Sequence, residues 1–187
     1  MVQFGTSGWR GIIGREITFR KVRIVTQALV NLLRESGGPV DRIVVGYDTR
    51  MLSEKFAATA AELIAANGIR AEVSPRDVPS PALSSAVLER RAAAGINFTG
   101  SHNPPEYNGL KIYTRDGIGA PSQFTDRVEQ HYLALADAWD DVWLPRAELV
   151  GAHDPKPRYL ERLQGLIDWD AIRSSRLAMV VDPLYGA

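Results

Sequence analysis

The chain has 187 residues, with 22 basic and 22 acidic side chains, 45% hydrophobic residues and no cysteine. Balanced charge without a long basic run argues against nucleic acid and anionic membranes as partners, and the lack of cysteine rules out a disulfide framework or thiolate metal site. No apolar run approaches the roughly 18 residues of a membrane span, and the N-terminus lacks a basic-then-apolar leader, so a cytoplasmic location is expected.

In chain order, Gly5 to Gly11 is a glycine-rich stretch that fits neither a P-loop nor a dinucleotide fingerprint. After Thr18, a residue suited to an N-cap, Val22, Val25, Leu29, Leu32 and Leu33 recur at helical spacing until Gly37-Gly38. Residues 42–47 read as a short buried strand. Ser53 is placed to cap a helix carrying Phe56, Ala60, Leu63 and Ile64, which Asn67-Gly68 ends. A strand over 71–74, a helix over 81–92, a strand over 95–99 and a helix over 122–135 follow. The pattern predicts an α/β fold: a three-layer mixed sheet with helices on both faces.

Gly-Ala-His-Asp-Pro-Lys-Pro at 151–157 breaks both periodicities, which sets a boundary between a first domain, 1–152, and a second, 153–187. The second segment should hold a helix over 158–166 and a strand over 177–181. It is shorter than the roughly 40 residues that usually build a core, so an incomplete second α/β domain is expected. An unpaired strand there would favour self-association, making a homodimer the assembly to test.

Ligands of such sheets gather beyond the carboxyl ends of strands, where Asp48-Thr49-Arg50 and Ser101-His102 both fall. Asp48 and Arg50 are expected to brace the neighbouring loop through a salt bridge. Ser101 sits between a glycine and a histidine, and the small residue before it leaves room for a bulky group. Pro104 and Pro105 stiffen the loop beyond, and Asn108-Gly109 reads as a turn returning Lys111 towards it. A serine-hydrolase reading is weak, because adjacent residues in an extended chain point opposite ways.

The run TGSHNPPEYNGLKIY resembles the active-site loop of the α-D-phosphohexomutases, the phosphoglucomutase and phosphomannomutase family. Phe4 to Gly11, Val45 to Arg50, Val78 to Leu83 and Val180 to Ala187 resemble further family motifs in the same order. The resemblance implies that the first segment is the family's first domain and that Ser101 carries a phosphoryl group. Arg10, His102 and Lys111 are implied to assist its transfer, Thr6, Ser7 and Asn103 to hold phosphate or substrate. Lys111 would handle the proton of the sugar hydroxyl. The physical chemistry agrees in part, since an arginine fork suits phosphate oxygens and a lysine can also exchange a proton.

By the same resemblance the substrate is glucose 1-phosphate, converted to glucose 6-phosphate through glucose 1,6-bisphosphate, with Mg²⁺ as cofactor; mannose is the alternative sugar. Ser7 and Trp9 resemble the glucose/mannose branch, whereas an aspartate is usual at that serine in phosphoglucosamine mutases. The only metal ligand expected here is the phosphate on Ser101, because no D-G-D-type aspartate loop is present. The family's sugar-reading and phosphate-holding loops are likewise missing, so these residues alone are expected to have little or no turnover. A non-catalytic module is the rival reading.

Overall fold

A computed structural model describes residues 2–5, 8–144, 146–184 and 186. The strands are β1 (Phe4–Gly5), β2 (Gly8–Ile12), β3 (Arg42–Tyr47), β4 (Arg70–Val73), β5 (Ala94–Phe98), β6 (Tyr107–Thr114) and β7 (Val150–Ala152). The helices are α1 (Phe19–Glu35), α2 (Ser53–Ala66), α3 (Ser80–Glu89), α4 (Ser122–Ala136), α5 (Lys156–Leu166) and α6 (Trp169–Ser174).

The seven strands form one mixed sheet in the order β1-β2-β6-β5-β3-β4-β7. β5, β3, β4 and β7 are mutually parallel, whereas β6 and β2 run antiparallel to their neighbours. Alternation along β3 divides the core. Ile43 and Val45 join the large cluster under α1, α2 and α4, while Val44 joins the smaller one with Val78, Leu83 and Val87 under α3. The sheet is therefore covered on both faces, as the pattern predicts.

Thr18 caps α1, accepting from Lys21 N at 3.2 Å. Ser53 does not cap α2. Leu52 occupies the cap position at φ 65°, and the Ser53 hydroxyl is turned inward instead. Asn108-Gly109 is not a turn either; both lie inside β6, paired with Gly11 and Arg10. A Cβ on Gly109 would stand 2.1 Å from Trp9 O, so close strand approach, not positive φ, demands this glycine.

β7 reaches Ala152, and His153 N still donates to Val73 O at 2.9 Å. Beyond it α5 packs on α3, with Tyr159 against the smaller cluster. The strand expected over 177–181 is not formed, because no neighbouring strand is present to pair with it among the described residues. Leu177 and Val180 there are 71% and 99% exposed.

Candidate active site

The parallel pairing of β3 and β5 brings two loops side by side. Tyr47 lies opposite Phe98, and Asp48 N donates to Phe98 O at 2.9 Å, so Asp48-Thr49-Arg50 and Thr99-Gly100-Ser101 leave the sheet together. Ser101 is exposed and sits at φ 56°, a left-handed conformation uncommon outside glycine. Its N–H is held by Thr99 Oγ1 at 2.8 Å, and Asn103 N donates to Gly100 O at 3.1 Å. Because Ser101 is not extended, the rule that neighbours diverge does not apply here. Its Oγ lies 3.5 Å from His102 Nδ1, at the outer limit of a hydrogen bond.

Arg50 braces this loop more extensively than a salt bridge would. Nη1 donates to the carbonyls of Pro104 at 2.7 Å and Tyr107 at 3.0 Å; Nη2 donates to Ser101 O at 2.8 Å and to Asn103 O. Nε stands 3.6 Å from Asp48 Oδ2. The bulky group that the small residue before Ser101 admits is this guanidinium, since a Cβ on Gly100 would meet its Cζ at 2.8 Å. Asp48 is itself fixed. Its Oδ1 accepts from Arg50 N at 3.0 Å and from Ser53 Oγ at 2.7 Å, while Ser53 accepts from Asn108 Nδ2 at 2.8 Å.

The antiparallel strands supply the cations. On β2 and β6 the residues facing away from the large cluster alternate glycine with a charged side chain: Gly8 and Arg10, Gly109 and Lys111. The glycines make room, because a Cβ on Gly8 would touch Lys111 Cγ at 3.1 Å. Arg10 Nη1 donates to Asn103 Oδ1 at 3.2 Å, which ties β2 to the Ser101 loop. Burial pushes the Lys111 ammonium below its ordinary value; the Arg10 charge adds to this and Asp48 opposes it. Lys111 thus lies within the fields of both. Arg10, Asn103, Ser101, His102 and Lys111 are brought to one end of the sheet; Thr6 and Ser7 lie outside the described residues.

A cleft of about 730 Å³ opens beside Ser101, walled in part by Asp48, Arg50, Ser80, Asn97 and Thr99. Asn97, opposite Lys111 in the β5–β6 register, donates through Nδ2 to Ser80 Oγ at 3.1 Å, and its buried Oδ1 has no partner among the described residues. Motif reading missed Asn97, Ser53 and Asn108 as members of this site. Only the polarity of Asn97 inside an otherwise apolar strand marks it in the sequence. Among the described residues no three His, Cys, Asp or Glu side chains gather to hold a metal. These residues therefore do not make a magnesium site by themselves.

Residues 1–138 match the family description "Phosphoglucomutase/phosphomannomutase, alpha/beta/alpha domain I". The chain belongs to the phosphoglucomutase/phosphomannomutase family. A Thermococcus kodakarensis phosphoglucomutase/phosphomannomutase is 33% identical over 98% of this chain and 40% of its own length. A Komagataeibacter xylinus phosphoglucomutase is 31% identical over 100% and 36%. A Caldanaerobacter subterraneus phosphoglucosamine mutase is 30% identical over 98% and 40%. The chain thus spans about 40% of the length of the curated relatives it matches. A crystal structure from Thermus thermophilus, described as a phosphomannomutase, superposes with TM-score 0.80 at 32% identity, covering 91% of this chain and 37% of that one. The Paramecium parafusin structure has the same fold, with TM-score 0.80 at 21% identity over 100% of this chain and 40% of that one. These relatives of the phosphoglucomutase/phosphomannomutase family are named for three different sugars.

Proposed function

We propose that this chain is the phosphoserine-bearing first domain (1–152) of a phosphohexomutase and, over 153–187, the start of its second domain. Glucose 1-phosphate is taken as substrate, with mannose 1-phosphate the alternative. The Ser101 phosphoryl group passes to the O6 hydroxyl: a bond forms from O6 to phosphorus, the bond from phosphorus to Ser101 Oγ breaks, the O6 proton leaves to a base, and Ser101 Oγ takes up a proton to leave as the free hydroxyl. Glucose 1,6-bisphosphate results, and the reverse transfer from its other phosphate yields glucose 6-phosphate. The observation that carries this reading is the exposed Ser101 hydroxyl on a loop pinned by Arg50, with Arg10 fixed to the same loop.

In this reading Lys111 exchanges the proton, which its lowered ammonium favours, and Arg10 and His102 face the phosphate, which carries about −1.5 to −2 charge. Asn103 holds Arg10 in place, and phosphate or substrate binding is assigned to Thr6 and Ser7 on the motif resemblance alone. Magnesium would bind the phosphate on Ser101, its other ligands coming from outside these residues, and would supply charge neutralisation during transfer. A cytoplasmic location is part of the same proposal, since sugar phosphates are charged and do not cross membranes unaided.

The test is intact mass of the protein as isolated and after hours with glucose 1,6-bisphosphate. One added phosphate that maps to Ser101 is expected, and none on Ser101→Ala. A single stoichiometric transfer is readable even without turnover. Phosphate at another residue, or labelling of Ser101 by a fluorophosphonate in place of phosphate, would sink the reading. Steady conversion of glucose 1-phosphate by this chain alone would show that the other relatives' domains are not needed.

A further inference from the structure

We propose that Arg50 is a positioning residue for the Ser101 nucleophile, fixing the conformation of its loop and turning the loop's carbonyls away from the phosphoryl group. The inference rests on the reading of Ser101 as the phosphoryl carrier. The hydrogen bonds of the Arg50 terminal nitrogens go to backbone carbonyls and not to Ser101 Oγ, so it acts through the main chain.

The geometry is that of an internal strut. A guanidinium has five N–H donors in a rigid fork. Here its two terminal nitrogens reach four carbonyl oxygens, those of Ser101, Asn103, Pro104 and Tyr107. Its side chain is only 17% exposed, and its Nε side faces Asp48. Asp48 in turn is held by Ser53, the first residue of α2. The fork is therefore anchored at its root and saturated at its tip, unlike a surface arginine that wanders.

The loop requires such an anchor. Ser101 at φ 56° is in a conformation that strains a residue with a side chain and persists only where the surroundings over-determine it. Local turns close only the two ends of the loop, Asn103 N on Gly100 O at 3.1 Å and Tyr107 N on Pro104 O at 3.0 Å, and Pro104 and Pro105 bring no N–H to join them. Four peptide oxygens converging on one cation also have their negative ends drawn to the Arg50 side. A doubly charged phosphate on Ser101 would be repelled by those dipoles were they free to swing outward. Two arginines thus divide the work: Arg10 is placed to meet charge, Arg50 to hold the backbone that presents it. A lysine offers three donors from one point and cannot span four acceptors.

Two variants and two readouts decide it. In Arg50→Ala and Arg50→Lys, amide hydrogen exchange of 101–107 should accelerate about tenfold or more, while α1 and β3 exchange as in the wild type. With glucose 1,6-bisphosphate as donor, the maximal rate of Ser101 phosphorylation should fall about 10²-fold in both, the cost of a misplaced nucleophile. The half-saturating donor concentration should move by less than about threefold. Millimolar guanidinium, but not methylammonium, should restore part of the rate to Arg50→Ala. Unchanged loop exchange in either variant, or a fully active Arg50→Lys, would overturn the inference. If wild-type Ser101 takes no phosphate, the phosphohexomutase reading fails, and the exchange measurement still decides whether Arg50 holds the loop. If Arg50→Ala does not fold, Arg50→Lys carries both readouts.

Discussion

At the residue scale the site is a set of charges whose placement has thermodynamic consequences. Burial and the nearby Arg10 lower the Lys111 ammonium, so the native state gives up this proton at a lower pH than the unfolded chain does. Between those two values the unfolded chain binds more protons, and the Lys111 contribution to stability rises with pH. Lys111→Met should therefore be more stable than wild type at pH 7, with the gap narrowing as pH climbs towards the ordinary lysine value. Urea midpoints at pH 7 and pH 9.5 check this; a gap that widens would contradict it. The same variant should accept no phosphate from glucose 1,6-bisphosphate at a useful rate. Ser53→Ala breaks the link between Asp48 and Asn108 inside a fully buried position. Asn108 keeps Met51 O as one acceptor but loses the other, and Asp48 loses the Ser53 donor; this should cost about 1–3 kcal/mol, read as a lower urea midpoint with unchanged slope.

At the element scale, what the sequence disclosed follows from what periodicity can carry. The strand over 42–47 was legible to the residue, and α1, α2 and α4 were legible to within a turn, because each buries a regular stripe. β1 and β2 were hidden, since Gly5 to Gly11 is glycine-rich and alternates glycine with Trp9 and Arg10 rather than with ordinary apolar residues. β6 was half legible. Asn108-Gly109 has the composition of a hairpin turn, yet Asn108 is there to reach Ser53 and Met51 O, and Gly109 to admit β2. Gly109→Ala tests this reading. A methyl group 2.1 Å from Trp9 O must push β2 away, so the variant should lose several kcal/mol by overpacking and ladder disruption. A turn glycine at negative φ would tolerate alanine with little loss. The motif names Ser101, Arg10 and Lys111 as candidates; the φ of Ser101 and the four-carbonyl grip of Arg50 were not legible, because both depend on distant segments meeting.

At the scale of the whole molecule, stability should be concentrated before residue 176. Leu177, Met179, Val180 and Val181 are 71–99% exposed and unpaired, so deletion from Arg176 should leave the melting temperature within about 2 °C. Deletion from Val150 removes β7 from the edge of β4 and Tyr159 from the smaller cluster, and should lower it by several degrees. Size-exclusion chromatography of the first deletion also reports whether that apolar stripe drives self-association. The sheet itself has a seam. Its parallel half delivers Ser101 and Arg50 on loops, its antiparallel half delivers Arg10 and Lys111 on strands, and β5 against β6 is where the halves are stitched, from Ala94 opposite Thr114 to Phe98 opposite Leu110. A slip of two residues there would keep every side chain on its own face yet carry Lys111 about 7 Å along the seam. If Ser101 and Lys111 work together as proposed, their partnership hangs on a single ladder's alignment, and a substitution that shifted it should abolish phosphate uptake at Ser101 while leaving the core full.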